Sequence, residues 1–315
     1  MRAWWQDLTD LVLPAECGGC GRPRTVLCPE CRAALSGDAP RRVRPDPAPP
    51  GLPVVHAAAP YGDEVRAALL AHKERGALTL ATPLGTALAG AVRAASGLPL
   101  LPDPHELPAA SQGPLDERNG WLGSGWQGFA GGPGPVLLVP VPSSRRAVRA
   151  RGHDPARRIA LAAAGELRRG GAPVRVLAVL RQRRAVADQS GLNSRQRLHN
   201  LAGALEVATG GDRLLAGAGR VVLVDDLMTT GASLAEAARA VRVAVAGADA
   251  YGGDAGEATG ERMRRRVGKR MTEATREAED RAPAARGMTD TSRGGAMICA
   301  AVVAASPDGF EINRN

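Results

Sequence analysis

Two constellations in this 315-residue chain could do chemistry. The first is VVLVDDLMTTGAS, Val221 to Ser233, in which Asp225 and Asp226 are followed by the loop Met228, Thr229, Thr230, Gly231, Ala232 and Ser233. Backbone N–H groups of a small-residue loop can face an anion, and a helix starting behind it adds its dipole, so the loop suits a phosphate. The acidic pair repels a phosphate and suits sugar hydroxyls or a metal ion. Phosphate at one end and a diol at the other describe a ribose 5-phosphate. The plainer alternative is a strand-to-helix turn with a solvated acidic pair. Apolar strand, Asp pair, Thr-Thr-Gly and helix cap agree in order, which favours the ligand.

The second constellation is CGGCGRPRTVLCPEC, with Cys17, Cys20, Cys28 and Cys31 as two Cys-x-x-Cys pairs with seven residues between them. Each pair is a knuckle whose thiolates can share one tetrahedral Zn²⁺, and Gly18, Gly19 and Gly21 allow tight turns. Four ligands fill the shell, so the predicted role is structural. The metal substitutes for a core that some thirty residues could not build. A redox Cys-x-x-Cys would stand alone at a helix start beside a strand.

Elements must position these residues. Val221 to Val224 is the unbroken apolar run of a central parallel strand, ending where open α/β sheets bind ligands. Ser233 and Glu236 predict a capping box for the helix behind it. VLLVPVPSS, residues 136 to 144, predicts another buried strand. It runs into a loop crowded by Arg145, Arg146, Arg149 and Arg151, which suits a pyrophosphate by charge and bidentate geometry or else is a solvated basic face. Asp154 and Pro155 supply an N-cap and first-turn proline. VRVLAVL predicts a further strand, and the polar segment after it is either a mobile lid over a polyphosphate or an exposed hairpin.

Upstream, Trp4, Trp5, Leu8, Leu11 and Val12 form a helical stripe ended by Pro14. Residues 1–36 are therefore a helix and metal module, and the Pro- and Arg-rich residues 37–55 a linker. Residues 56–135 carry a short strand, a helix with Val65, Leu69 and Leu70 inward and Lys73 near its end, a helix over 82–95, and a Gly/Pro-rich loop with Trp121, Trp126 and Phe129. Residues 136–246 form the core. Residues 247–294 are charged and poor in large apolar side chains, which predicts a disordered insertion or solvated helix; their basic run at 262–270 could touch nucleic acid but more often such runs face water. Residues 295–315 return as the sheet's last strand and a tail, with Cys299 as a core thiol.

Composition sets limits. The chain carries 41 Lys+Arg against 32 Asp+Glu, net +9, with pI near 10.3, a weak pointer to polyanions because the charge is spread out. Aromatic residues are 3%, too few for a base-stacking platform. No run of 18 apolar residues occurs, so no membrane span is expected, and with no signal-peptide pattern the expected compartment is the cytoplasm.

VVLVDDLMTTGAS closely resembles the phosphoribosyl-pyrophosphate (PRPP) motif of type I phosphoribosyltransferases. The chain as a whole resembles the ComF family of competence-associated proteins. The resemblance rests on that motif, the Trp/Leu helix ending in Pro14, the four cysteines, the Tyr61 to Gly76 helix with Lys73, VPVPSSRRAVRARGHD, and the spaced Gln189, Leu192, Arg197 and Asn200. It implies an α/β fold of type I phosphoribosyltransferase kind: a mostly parallel sheet with helices on both faces, plus a small N-terminal zinc-knuckle module. It implies that Asp225 and Asp226 hold ribose hydroxyls and that the Thr-Thr-Gly-Ala-Ser loop holds the 5-phosphate. Ser143, Arg145, Arg151, Gln189 and Arg197 would contact pyrophosphate or form the lid, with Mg²⁺ accompanying PRPP. Asp225, Asp226 and Arg151 would act electrostatically in phosphoribosyl transfer. Single-stranded DNA or DNA-uptake proteins are the implied macromolecular partners. The alternatives are a non-catalytic zinc-containing nucleic-acid or partner-binding module, and a nucleobase salvage phosphoribosyltransferase. The chain departs from the family at His153, Asp154 and Pro155, where Phe-Asn-Gln is usual, and at Val186, where threonine is usual.

Overall fold

The computed structural model describes residues 16–98, 135–184, 194–216, 218–252 and 297–311. The expected N-terminal helix, the Gly/Pro loop with its aromatic residues, Val186, Gln189 and Leu192, and the insertion beyond Gly252 lie outside these residues.

The apolar run at Val221 sits in β7 (Arg220–Met228), at the middle of a six-stranded sheet. The other strands are β1 (Arg41–Val43), β2 (Val55–Pro60), β3 (Val136–Pro140), β4 (Val174–Val176) and β8 (Met297–Ala305), in the order β1-β2-β8-β7-β3-β4. All neighbours are parallel except the edge pair β1–β2. Strands covered on both faces must be apolar on both. Accordingly Val222 and Val224 join one buried cluster while Val221 and Leu223 join the other.

The first face is covered by α1 (Pro29–Ser36), α2 (Asp63–Glu74), α3 (Ala81–Ser96) and α5 (Pro155–Arg169), and Leu35, Leu69, Leu84, Leu88, Ile159 and Leu167 of these helices are buried there. Cys17, Cys28 and Cys31 belong to the same cluster, so the cysteine knuckles rest on the sheet's own core. The second face is covered by α8 (Ala232–Gly252), whose Leu234, Ala237, Ala238 and Val241 are buried, with Leu215 of α7 (Gly211–Ala216) and Phe310 of α9 (Asp308–Glu311). Between them the chain forms α4 (Arg145–Arg151), β5 (Leu180–Gln182), α6 (Ser194–Leu201) and β6 (Leu205–Val207). The chain is thus mixed α/β with a mostly parallel sheet and helices on both faces.

Several local expectations are corrected. The stretch read as a linker contributes β1, because the free edge of β2 offers backbone partners and Val43 finds a buried place. The arginine-crowded loop is the helix α4, capped by Ser144, whose hydroxyl accepts from Ala147 N at 3.1 Å. VRVLAVL breaks in two: β4 stays in the main sheet, whereas β5 turns away and pairs antiparallel with β6. Val65 and Leu69 face inward, but Leu70 is 38% exposed, because the buried stripe continues through Ala68, Ala71 and His72 instead. The helix after the acidic motif runs to Gly252, past the boundary drawn at 246. The strand expected last forms as β8, and it is inserted centrally, between β2 and β7. Its Cys299 is buried, and burial pushes the thiol up to about 11.

Candidate functional site

β7 pairs with β3 only as far as Val224 opposite Pro140, but with β8 as far as Met228 opposite Ala305. The acidic pair therefore lies within the strand, not after its end, at a place where one flank has opened. Parallel sheets bind ligands in such crevices at the carboxyl ends of their strands. Asp226 N donates to Asp225 Oδ1 at 2.9 Å, and Asp226 Oδ2 meets Lys73 Nζ at 2.8 Å. The Asp226 side chain is 8% exposed and that of Lys73 33%. Burial, and then the charge of Asp226, holds the Asp225 carboxyl well above the usual carboxylate range, with Lys73 partly opposing them. Burial pulls the Lys73 ammonium down, but the charge and hydrogen bond of Asp226 outweigh it, so its pKa ends above the ordinary lysine value.

The loop after the pair leads directly into α8. Gly231 has φ +73°, a left-handed conformation open to glycine at little cost, and a Cβ there would stand 3.1 Å from Leu52 Cδ2. Ala235 N donates to Gly231 O at 2.9 Å, closing the first helical turn. The expected capping box is absent in this geometry. Glu236 instead turns to β6, accepting from Leu205 N at 3.0 Å and from Arg239 Nε and Nη2 at 2.7 Å each. A buried carboxylate gains more from a fixed guanidinium and an orphan strand amide than from a helix end that water can reach. Thr229 is exposed and Thr230 half-buried. Arg197, from α6, donates from Nη1 to Thr229 Oγ1 at 3.3 Å, and its buried Nε has no partner.

The last turn of α2 holds three neighbours with three consecutive residues. His72 O is 3.2 Å from His153 Nε2, Lys73 binds Asp226, and Glu74 grips Arg151 through two contacts of 2.9 Å. Arg151 is thus occupied by a carboxylate, although it lies close enough to Lys73 to oppose its charge. Arg145 is exposed on the first turn of α4. Ser143 N donates to Asp154 Oδ2 at 3.2 Å, while Asp154 Oδ1 caps α5 by accepting from Arg157 N at 3.2 Å. His153 fills a buried place against His72, ring centroids 5.5 Å apart, and Asp154 ties the segment after β3 to α5. A cavity of about 550 Å³ opens beside these residues, lined by Gly152, His153, Arg157, Arg158 and Leu161, and excludes the acidic pair.

Of the residues singled out in the sequence, Asp225 and Asp226 stand at the open end of β7, Thr229 just beyond it is contacted by Arg197, and Arg151, held by Glu74, lies near Lys73. The pairing roles of Lys73, Glu74 and Glu236 had no local signature, since each partner lies on a different element.

The four cysteine sulfurs lie within 4.8 Å of one another, with Cys20 and Cys28 Sγ 3.6 Å apart. Tetrahedral zinc with Zn–S near ~2.3 Å would separate sulfurs by roughly 3.8 Å, so the cluster fits one metal ion. Burial opposes the Cys17 thiolate, but amide donors from Cys20, Cys28 and Gly19 overcome it and bring the thiol to about 6. A Cβ on Gly19 would lie 2.6 Å from Cys31 Sγ and 3.3 Å from Glu64 O, and one on Gly18 would lie 2.5 Å from Leu80 Cδ1. These glycines are needed for close approach, and Gly21, at φ +77°, for the turn. Arg22 and Glu30 join the two knuckles through contacts of 2.8 and 2.9 Å.

Among the described residues, no helix is long and apolar enough to cross a membrane. Compared with protein-family models and with curated proteins, the chain matches none.

Proposed function

We propose that this is a ComF-like protein with a type I phosphoribosyltransferase-like domain, and that it binds PRPP or another ribose 5-phosphate compound at the open end of β7. The observation that carries the reading is the Asp225–Asp226 pair at the point where β3 stops pairing with β7, followed by a Thr229 that accepts from the Arg197 guanidinium. Arg197, with the amides ahead of α8, would take the 5-phosphate; the carboxylates would take the ribose hydroxyls. Zn²⁺ is the metal proposed for the four cysteines, by its preference for a closed tetrahedral thiolate set. Mg²⁺, a hard cation suited to carboxylate and phosphate oxygens, would neutralise the pyrophosphate of PRPP.

Phosphoribosyl transfer is the reaction such a site would support. A nitrogen nucleophile forms a bond to the anomeric carbon as the bond to pyrophosphate breaks. Positive charge grows on the ribose, where Asp225 and Asp226 stabilise it, and negative charge on the leaving group, where Arg151 would. A second reading, ligand binding without transfer within cytoplasmic DNA uptake, is favoured by one observation: Glu74 already occupies Arg151. In that reading single-stranded DNA or uptake proteins are the partners.

Calorimetric titration with PRPP, with and without Mg²⁺, tests the proposal. Wild type should bind in a Mg²⁺-dependent manner and the Asp225→Asn/Asp226→Asn variant should not. Absence of Mg²⁺-dependent binding by wild type refutes it.

A further inference from the structure

Asp226 is a nearly buried carboxylate whose counter-ion comes from 153 residues earlier in the chain. Lys73 occupies the last turn of α2, where the helix dipole favours a cation. Its neighbours are fixed: His72 is fully buried and Glu74 is committed to Arg151. The ammonium is thereby delivered to the acidic pair from an element anchored in the core, and it feels the charges of both Asp226 and Asp225.

We propose that Lys73 is the built-in counter-ion of the acidic pair, holding the Asp226 carboxylate in place and keeping free divalent cations out of the crevice until they arrive with an anionic ligand. This rests on the ribose-phosphate reading and adds to it a rule for the order of entry. Two adjacent carboxylates in a half-buried crevice attract a dication when nothing else neutralises them. With Lys73 in contact, a bare dication meets an ammonium at the position it would take. A dication already bound to a pyrophosphate carries net negative charge, so the same ammonium attracts it. Lys73 is a positioning residue in this account: it acts through Asp226.

The test needs no sugar phosphate. Mn²⁺ binding to the zinc-loaded protein is titrated by the electron paramagnetic resonance signal of the free ion, for wild type, Lys73→Met, Lys73→Arg and Lys73→Met/Asp226→Asn. Lys73→Met should bind Mn²⁺ at least tenfold more tightly than wild type. Lys73→Arg, which keeps the charge, should stay at the wild-type level, and the double variant should return to it. A gain that Lys73→Arg shares, or that survives Asp226→Asn, overturns the counter-ion role. So does a folded Lys73→Met protein that binds no more tightly than wild type. Should Lys73→Met fail to fold by circular dichroism, Lys73→Gln is read in its place by the same criteria. Failure here leaves Mg²⁺-dependent PRPP binding by wild type untouched, so the two readings fail separately.

Discussion

Glu236→Ala separates the observed geometry from the capping box that the sequence suggests. The Glu236 side chain is 5% exposed and serves two partners, Leu205 N and Arg239. Truncation leaves the buried Leu205 amide without an acceptor, which costs about 1–3 kcal/mol. The Arg239 pair adds under about 1 kcal/mol, because that guanidinium is 45% exposed and screened by water. The expected loss is about 1–4 kcal/mol, read as a shift of the urea midpoint at unchanged m. Ser233→Ala serves as the comparison and should stay within about 0.5 kcal/mol. A capping box would instead make both variants lose similar amounts near ~1 kcal/mol, and that result would refute the bridging role. There is a functional readout as well. Glu236 ties β6, and α6 just before it, to α8, so Glu236→Ala should also weaken PRPP binding by loosening Arg197 against Thr229. The pH dependence follows in sign. Burial alone would raise the Glu236 pKa, but Arg239 and the Leu205 amide bring it below the ordinary 4.5. Its contribution is therefore complete above the unfolded-state pKa and is lost as pH falls through the folded value. Wild type and Glu236→Ala should converge in stability in strong acid.

Other substitutions probe packing, metal and ligand. Gly85→Ala would add about 1 kcal/mol of stability on an exposed helix, but here the new Cβ would lie 2.4 Å from Ala162 Cβ and 2.9 Å from Ala163 N, so α3 and α5 must separate. A loss of about 1–3 kcal/mol in denaturant titration is expected, and a gain would refute the close crossing. Gly19→Ala drives a methyl into Cys31 Sγ, so zinc release monitored with a chromogenic chelator should show affinity at least tenfold weaker; unchanged affinity contradicts the observed knuckle. Arg197→Ala should weaken PRPP binding by roughly tenfold, the value of one charge-assisted contact, with little change in melting temperature. Glu74→Gln frees Arg151, and tighter pyrophosphate binding by this variant would mark Glu74 as the restraint on it.

What was legible in the sequence was carried by local pattern. Four cysteines at fixed spacing, an apolar run before an acidic pair, and Asp154-Pro155 at a helix start each depend on neighbours within a few residues. The chain alone determined the four-cysteine cluster, the buried central strand and the α/β class. Pairing across the sequence was not legible. That residues 41–43 would leave the linker to edge the sheet, that β8 would enter its middle, and that VRVLAVL would break between two sheets all depend on which strand edge is free. The candidate site divides in the same way. Asp225, Asp226 and the Thr-Thr-Gly loop could be read from order alone, since one strand and one helix position them. Their partners could not, because Lys73 reaches Asp226 from α2 and Arg197 reaches Thr229 from α6. Tertiary structure also turned Glu236 from the helix cap it resembles into a bridge to β6, since a buried carboxylate goes to the partners that desolvation leaves within reach.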